Sequence, residues 1–211
     1  MGRIVVVNFS SMDGVIQSPL SPDEDRDDDF AHGGWVPPRS DDVVDSFMQD
    51  ATVRSEGMLL GRRSYEILRD AWSGADESVP AIAAMNRMPK YVVTSSPLDS
   101  PWKNSHALDG PLPDVVAELV DRTDGDLVVF GSGTLVRGLA AHDLVDEYRI
   151  LMFPLILGAG KRMFDHGARA TSFVLSDSLV TSGGVAILTY TRDRDRSEHV
   201  STAVALGDVD A

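Results

Sequence analysis

The stretch that decides the fold is Gly57-Met58-Leu59-Leu60-Gly61-Arg62-Arg63-Ser64-Tyr65-Glu66. Its first four residues form a short apolar run next to a glycine, which is typical of a buried strand. Gly61 lets the chain turn closely, and residues 64–70 have helical spacing with Ser64 in position to cap the helix. A buried strand that passes directly into a helix is the building unit of α/β proteins.

The same alternation extends in both directions from this stretch. Further apolar runs of similar kind predict strands at residues 4–7, 91–93, 127–130, 148–153, 173–175 and 185–190. Helical periodicity occurs at residues 41–54, 113–122 and 133–142. Strands that alternate with helices favour a mostly parallel sheet, whereas the last strands follow one another and predict an antiparallel edge. We therefore expect one α/β domain at residues 1–192 and a tail at residues 193–211.

Composition narrows the class of protein. The 211 residues include 19 Lys and Arg against 33 Asp and Glu, a formal net charge of −14. This charge is repelled by phosphate backbones and anionic lipid, so we expect no nucleic-acid partner and no membrane partner. The chain has no cysteine, which excludes disulfides and thiolate metal sites and favours a reducing compartment. No run approaches the roughly 18 apolar residues of a membrane span, and we expect a cytoplasmic protein.

Two common kinds of catalytic site find no support in the sequence. The histidines are His32, His106, His142, His166 and His199. Their positions show no metal-ligand spacing such as His-x-x-x-His, so we expect no metal. The serine-hydrolase pattern Gly-x-Ser-x-Gly does not occur, and a serine hydrolase is therefore disfavoured.

Residues 17–40 interrupt the rhythm of strands and helices. They contain four prolines, the pair Gly33-Gly34 and six acids within residues 23–29. A loop of this length is either disordered or functional. One interpretation is a solvated acidic excursion. The bulky Phe30 and Trp35 favour the other, in which the second half folds over a site as a lid and the acids face solvent. A third interpretation has Trp35 only filling a gap in the core under a static loop.

Four short motifs each follow a predicted strand, where open α/β sheets bind their ligands. They are Ser11-Met12-Asp13-Gly14, Gly61-Arg62-Arg63-Ser64, Thr94-Ser95-Ser96 and Gly131-Ser132-Gly133-Thr134-Leu135. A helix start with two arginines suits a phosphate. The last motif lacks the third glycine of Gly-x-Gly-x-x-Gly and the lysine of a P-loop, and it favours dinucleotide binding of another type.

Each motif also has a simpler interpretation. Asp13-Gly14 is ordinary turn chemistry, and hydroxyls such as those of residues 94–96 usually cap turns. The two arginines would equally form ion pairs with neighbouring acids.

In this order the motifs resemble those of the dihydrofolate reductase fold, in particular its bacterial branch related to the reductase domain of riboflavin biosynthesis. The resemblance covers roughly residues 3–191. It is densest at residues 11–17, 32–35, 59–66, 144–150 and 158–164. It implies a three-layer α/β fold with a central mixed, mostly parallel sheet and an antiparallel C-terminal edge.

The resemblance also implies roles for individual residues. Gly61, Arg62, Arg63 and Ser64 would hold the adenosine phosphates, Thr94, Ser95 and Ser96 would flank the ribose and its 2′-phosphate, and Gly131, Ser132, Gly133, Thr134 and Leu135 would cradle the diphosphate. The catalytic candidates are Asp13, Trp35 and Asp45. The substrate floor would be formed by Asn8, Ser10, Phe47, Met48 and Phe153.

Asp45 is assigned by counting residues back without gaps from Gly61-Arg62, and this count crosses a helix. Asp41, Asp42 and Asp50 therefore compete for the role of the acid that anchors a substrate ring, and Asp45 would otherwise only solvate the helix. The pattern of residues 148–154 is the riboflavin type, which disfavours folate itself as the substrate.

These observations predict a reductase that transfers hydride from NADPH to a C=N or C=O group of a small heterocyclic substrate. The alternative is a non-catalytic nucleotide-binding or regulatory protein that keeps the fold, and a third is an enzyme with a flavin cofactor. The resemblance further implies a homodimer. Residues 148–153 and 185–190 add a physical hint, because they are more apolar than an exposed sheet edge should be.

Overall fold

An eight-stranded sheet forms the middle layer of the protein. The computed structural model describes residues 1–99, 101–164 and 170–193. The strands are β1 (Arg3–Ser11), β2 (Gly57–Gly61), β3 (Lys90–Val93), β4 (Ser105–Leu108), β5 (Asp126–Phe130), β6 (Glu147–Phe153), β7 (Phe173–Val180) and β8 (Ala186–Arg192). Their order is β4-β3-β2-β5-β1-β6-β8-β7. The first six pair in parallel and the last two are antiparallel, which confirms the predicted mixed sheet.

Helices cover both faces of this sheet. They are α1 (Asp42–Val53), α2 (Arg62–Trp72), α3 (Pro80–Arg87), α4 (Leu112–Arg122) and α5 (Gly133–Ala141). Alternate residues of β1 point into different cores, since successive side chains of a strand face opposite sides. Val5 and Val7 join the core under α1, α2 and α3, whereas Ile4 and Val6 join the core under α4 and α5. The three-layer α/β prediction is therefore confirmed.

Two elements were not predicted from the sequence. The helix α3 starts at Pro80 without a side-chain cap, and β4 is a four-residue segment, half of it polar, that pairs in parallel with β3. Both depend on tertiary contacts, which local periodicity does not report. The cap predicted for α2 was also wrong, because the helix already begins at Arg62 and Gly61 is its N-cap residue. In α5, Ser132 does cap the helix by accepting a hydrogen bond from the Leu135 amide.

The sheet ends in β4 on one side and in β7 on the other. Residues 148–153 and 185–190, which are more apolar than an exposed edge should be, lie in β6 and β8 inside the sheet. Their apolar character therefore does not mark an exposed edge, and the edge strand on their side is β7. The edge strand itself exposes large apolar side chains, those of Val174, Leu175, Leu179 and Val180.

The domain was predicted to end at residue 192, before a tail at residues 193–211. Arg192 is the last residue of β8, and its guanidinium forms an ion pair with Asp143. Residues 194–211 lie outside the described residues. Among the helices described, none is both long enough and apolar enough to cross a membrane.

The loop at residues 17–40 is packed against the domain. Its base is closed by hydrogen bonds from the Gly34 amide to the Ser18 carbonyl at 2.8 Å and from the Val36 amide to the Pro19 carbonyl at 3.0 Å. Both predicted aromatic anchors are buried, with exposures of 8% for Phe30 and 3% for Trp35. The loop is therefore a folded part of the structure and not a solvated excursion.

Candidate active site

The four motifs meet at one edge of the sheet. β2 and β1 flank β5, so α2 and α5 start from neighbouring strand ends. The two helix starts are in close approach, since a Cβ atom at Gly61 would lie 2.5 Å from the Ser132 hydroxyl oxygen. Free amide groups and the positive ends of two helix dipoles therefore face one region, an arrangement suited to anions.

Gly131 gives this junction an open side. Its φ of +66° is the left-handed region that favours glycine, and the next residue, Ser132, has a φ of +56°. A Cβ atom at Gly131 would meet only the Ser64 hydroxyl oxygen, at 3.7 Å. Gly133 differs, because its corresponding position is enclosed by Arg137, Ile16 and the Arg162 carbonyl at 3.1–3.4 Å. Of the two predicted glycines, Gly131 is the one that leaves room for a ligand.

Asn8 adds a buried donor beside this cradle. Its side-chain oxygen accepts a hydrogen bond from the Gly131 amide at 2.8 Å, which fixes the orientation of the side chain. The residue is 4% exposed, and its Nδ2 atom has no hydrogen-bond partner in the described parts of the chain. A buried donor without an acceptor costs about 1–3 kcal/mol. A ligand oxygen would satisfy it.

Arg62 ties the second motif to the third. Its Nε donates to Glu66 at 2.5 Å, and Nη1 donates to the carbonyls of Pro97 at 2.6 Å and Ser96 at 3.4 Å. The Thr94 hydroxyl accepts from the Ser96 amide at 3.2 Å, so this hydroxyl caps its own turn. Arg62 thus bonds to a neighbouring acid and Thr94 caps a turn, as the simpler interpretations of the two motifs predicted. Arg62 also connects the start of α2 to the loop that contains Ser96 and Pro97.

Arg63 is held by the acidic loop. Its Nη2 donates to Asp25 and to Asp27, each at 2.9 Å, and Nη1 also donates to Asp27. Lys161 reaches the same two carboxylates from the other side, at 2.7 Å each. These bonds hold the pKa of Asp27 well below its usual range. The prediction that the acidic stretch faces solvent holds for Asp27, whose side chain is 46% exposed, but not for Asp25, whose side chain is 14% exposed.

Lys161 was not among the predicted site residues. It lies in the segment 158–164 that carries part of the family resemblance, but its partner acids are more than 130 positions away in the sequence. Its backbone amide also donates to the side-chain oxygen of Gln17 at 2.9 Å. The position of this lysine depends on long-range packing, which no local pattern indicates.

Asp13 organises the segment after β6. Its carboxylate accepts hydrogen bonds from the Ser11 hydroxyl at 2.6 Å and from the amides of Leu157 at 3.1 Å and Gly158 at 2.9 Å. These bonds, led by that of Ser11, lower the pKa of Asp13 to about 2. A carboxylate with this pKa stays ionised near neutral pH. Its contacts fit a positioning role, and its catalytic role stays a prediction.

Trp35 packs into the core beside this turn. Its indole N–H donates to the Gln17 carbonyl at 2.9 Å, and its ring meets Phe153 edge-to-face at 5.6 Å. Phe153 is fully buried and pairs in register with Ser11. Trp35 is thus close to the Asp13 turn, but it is a core residue here. Phe153 packs against Trp35 and is fully buried, so it has no surface free for a substrate.

The remaining predicted residues lie on α1 and β1. Asp45 is exposed and accepts a hydrogen bond from the Ser40 hydroxyl at 2.7 Å. Of its competitors, Asp42 and Asp50 are exposed, and Asp41 is the N-cap residue of α1. The Thr181 hydroxyl is the main cause of a lowered pKa at Asp41. Hydrogen bonding within β1 accounts for the remaining polar candidate, since Ser10 donates to the Ser11 carbonyl at 2.9 Å.

Two predicted substrate residues remain on α1. Phe47 and Met48 are partly buried and pack against the core under α1, and their contact with a substrate stays a prediction. Two pockets, of about 420 and 290 Å³, lie beside Phe173 and beside Trp102. Within the described residues, no three His, Asp or Glu side chains are grouped as metal ligands would be.

Comparison with protein families assigns the chain to one family. The family model of the RibD C-terminal domain matches residues 3–187. The chain belongs to the RibD C-terminal domain family. A search of curated proteins found no match.

Solved structures share the fold of this RibD C-terminal domain. A candidate riboflavin biosynthesis protein from Shewanella sp. PV-4 is 21% identical with a TM-score of 0.66, covering 91% of this chain and 99% of the other. A pyrimidine reductase-like protein from Corynebacterium diphtheriae is 12% identical with a TM-score of 0.60, covering 92% of each chain.

A third structure bears on the ligand. Dihydrofolate reductase from Enterococcus faecalis, in complex with NADP(H) and RAB-propyl, is 14% identical with a TM-score of 0.60, covering 90% of this chain and 96% of the other. At these identities the likeness concerns the fold. The shared fold agrees with the predicted dihydrofolate reductase-like architecture.

Proposed function

We propose that this RibD C-terminal domain is an NADPH-dependent reductase that acts on a C=N or C=O group of a small heterocyclic substrate. The observation that carries the proposal is the junction of the α2 and α5 starts, where Gly131 leaves an open cradle beside the unsatisfied Asn8 amide. The family and the fold of its structural neighbours agree with a reductase that uses a nicotinamide cofactor.

The residues at this edge fit a dinucleotide. The amides at the start of α5 and the Ser64 hydroxyl would bind the diphosphate, and Arg62 and Arg63 would bind the 2′-phosphate. The Nδ2 donor of Asn8 suits a carbonyl or phosphate oxygen. Bound NADPH would supply a hydride for transfer to the substrate.

The chain would contribute mainly positioning to this chemistry. Asp13 holds the segment after β6 in place through its bonds to two amides. Trp35 and Phe153 pack edge-to-face in the core beside the turn and support it. Reduction of a C=N or C=O group needs a proton as well as the hydride. Asp13 is ionised near neutral pH and does not supply this proton, which would come from solvent, while the residues of the site orient the two reactants.

The test is a titration of NADPH followed by nucleotide fluorescence, with Gly131→Val as the matched variant. We expect saturable binding by the wild-type protein and none by the variant. Oxidation of NADPH is then measured with pterins, ribosylaminopyrimidines and small imines. Absence of NADPH binding would refute the proposal. Binding without oxidation by any of these compounds would favour a non-catalytic nucleotide-binding protein, and a yellow purified protein would favour a flavin.

We also propose that the protein is a homodimer that forms through β7. This strand is one of the two edge strands of the sheet, and Val180 and Val174 on it are 67% and 50% exposed. An apolar edge strand with a free row of backbone groups pairs readily with a second strand. A second copy would extend the sheet and cover these side chains.

A further inference from the structure

We propose that Asp25 and Asp27 act as an internal phosphate mimic, which occupies a cationic subsite formed by Arg63 and Lys161 until a phosphate group of the ligand replaces it. The inference rests on the proposed function, because Arg63 belongs to the helix start assigned there to the nucleotide. It adds a subsite residue, Lys161, and a means by which the protein regulates its own affinity.

The geometry is that of a bound oxyanion. Four carboxylate oxygens from Asp25 and Asp27 converge on one guanidinium and one ammonium group, with Arg63 Nη2 at 2.9 Å and Lys161 Nζ at 2.7 Å from each acid. Planar guanidinium groups bind carboxylates and phosphates in the same forked manner. The groups that hold these acids are therefore the groups that would hold a phosphate.

A pair of neighbouring cations is unusual in a protein of this net charge. The chain carries a net charge of −14, and yet Arg63 and Lys161 meet beside the N-terminus of α2. Two positive side chains placed together repel each other and need an anion between them. The structure supplies that anion from Asp25 and Asp27. Of the other acids in this loop, Asp23, Asp28 and Asp29 are exposed and Glu24 is partly buried.

Exchange of partners begins at the exposed side of the cluster. The side chains of Arg63 and Asp27 are 52% and 46% exposed, and that of Lys161 is 37% exposed. The side chain of Asp25 is 14% exposed and also accepts hydrogen bonds from Gln17 Nε2 and the Asp27 amide. The backbone is anchored separately, because Gln17 Nε2 donates to the carbonyls of Asp25 and Asp27 at 3.2 and 3.1 Å. A phosphate can thus take both cations while the loop keeps its attachment to Gln17.

The internal carboxylates and a phosphate ligand would compete for the same two cations. The internal carboxylates keep the cations paired when no ligand is bound and weaken every phosphate ligand that uses them. Removing both negative charges should therefore strengthen binding. The two carboxylates form four ion pairs with Arg63 and Lys161. Partly exposed ion pairs are weak, so we expect about a three- to thirtyfold tightening when both carboxylates are removed.

The experiment compares the double variant Asp25→Asn/Asp27→Asn with the control Asp28→Asn/Asp29→Asn. The control removes the same charge from the same loop, and asparagine tolerates the positive φ values of 57° and 55° at residues 28 and 29. Calorimetry with NADPH, NADH, inorganic pyrophosphate and ribose 5-phosphate measures affinity. Thermal unfolding checks each fold, and the single variant Asp27→Asn replaces the double one if that unfolds.

We expect tighter binding of at least one phosphate probe by the first variant and less than a twofold change in the control. Tightening of NADPH alone would place the 2′-phosphate in the subsite, tightening of both nucleotides and pyrophosphate would place the diphosphate there, and tightening of ribose 5-phosphate would place a substrate phosphate there. Equal effects in the two variants, or weaker binding by the first, would overturn the inference.

The two proposals fail in different ways. If NADPH binds to neither wild type nor variant while pyrophosphate still tightens, the proposed function is refuted and the internal mimic stands. If NADPH binds to the wild-type protein and the first variant behaves like the control, the proposed function stands and the mimic is refuted.

Discussion

Truncation of Trp35 separates a structural role of the loop from a gating role. The side chain is 3% exposed and meets Phe153 edge-to-face at 5.6 Å. A buried tryptophan removes up to about 250 Å² from water, which at about 25 cal/mol per Å² corresponds to about 6 kcal/mol. Partial collapse of the site reduces the measured cost of such truncations to about 3–5 kcal/mol.

We therefore expect Trp35→Ala to lower the free energy of unfolding by about 4 kcal/mol. In a domain of this size each kcal/mol shifts Tm by about 2–4 °C, so the expected shift is roughly 8–16 °C. Urea unfolding followed by fluorescence and circular dichroism measures the loss. Trp35→Phe keeps a ring against Phe153 and gives up only the bond to the Gln17 carbonyl, so it should cost much less.

Trp72→Ala serves as the second control, because Trp72 lies at the end of α2 and is only partly buried. If Trp35→Ala costs less than about 1 kcal/mol while ligand affinity or turnover collapses, the reasoning is refuted and Trp35 is a mobile lid.

The other predictions concern the cofactor, pH and assembly. Gly131→Val should abolish NADPH binding in calorimetry, since its side chain fills open space; the positive φ strains a valine there, so thermal unfolding checks the fold, and normal binding would contradict the cradle. Arg62→Ala and Arg63→Ala, titrated separately, should weaken NADPH about ten- to a hundredfold more than NADH; equal losses would mean that neither reads the 2′-phosphate. Burial lowers the pKa of Lys90 to about 8 from 10.5. The unfolded state therefore binds more protons between these pH values, and stability should rise by about 3 kcal/mol from pH 8 to 10.5, a rise that Lys90→Met should remove in urea unfolding. Sedimentation should give twice the chain mass of 22.8 kDa, and Val180→Asp should give the monomer; a wild-type monomer would exclude the dimer.

The convergence of the motifs was predictable because it follows from topology. Parallel strands end at one edge, so any sequence that places Gly61 and Gly131 directly after buried parallel strands brings them to the same side. The alternation of apolar runs and helices was sufficient to establish the parallel part. The order of β8 and β7 in the sheet could not be predicted from the sequence, because no local signal decides which of two consecutive antiparallel strands lies at the edge.

Other positions could not be decided from the sequence for a different reason. Asp45 was placed by counting along a helix, and a shift of one residue rotates a side chain by about 100°. The count therefore does not decide which acid of α1 would face a ligand, and the role of the exposed Asp45 stays a prediction. Within the acidic stretch, six similar acids offer no pattern that singles out Asp25 and Asp27. Their selection depends on where Lys161 and Arg63 meet in space.

The two interpretations of the paired arginines were posed as alternatives, an ion pair or a phosphate site, and the structure gives a reason to treat them as successive states. A site that binds phosphate strongly must hold positive charges close together, and those charges destabilise the unliganded protein unless an anion screens them. A carboxylate from a neighbouring loop is the least costly screen, because it is weak enough to be exchanged and it cannot diffuse away. The ion pair of Arg63 with Asp27 is then what a phosphate subsite in an acidic protein should look like before its ligand arrives.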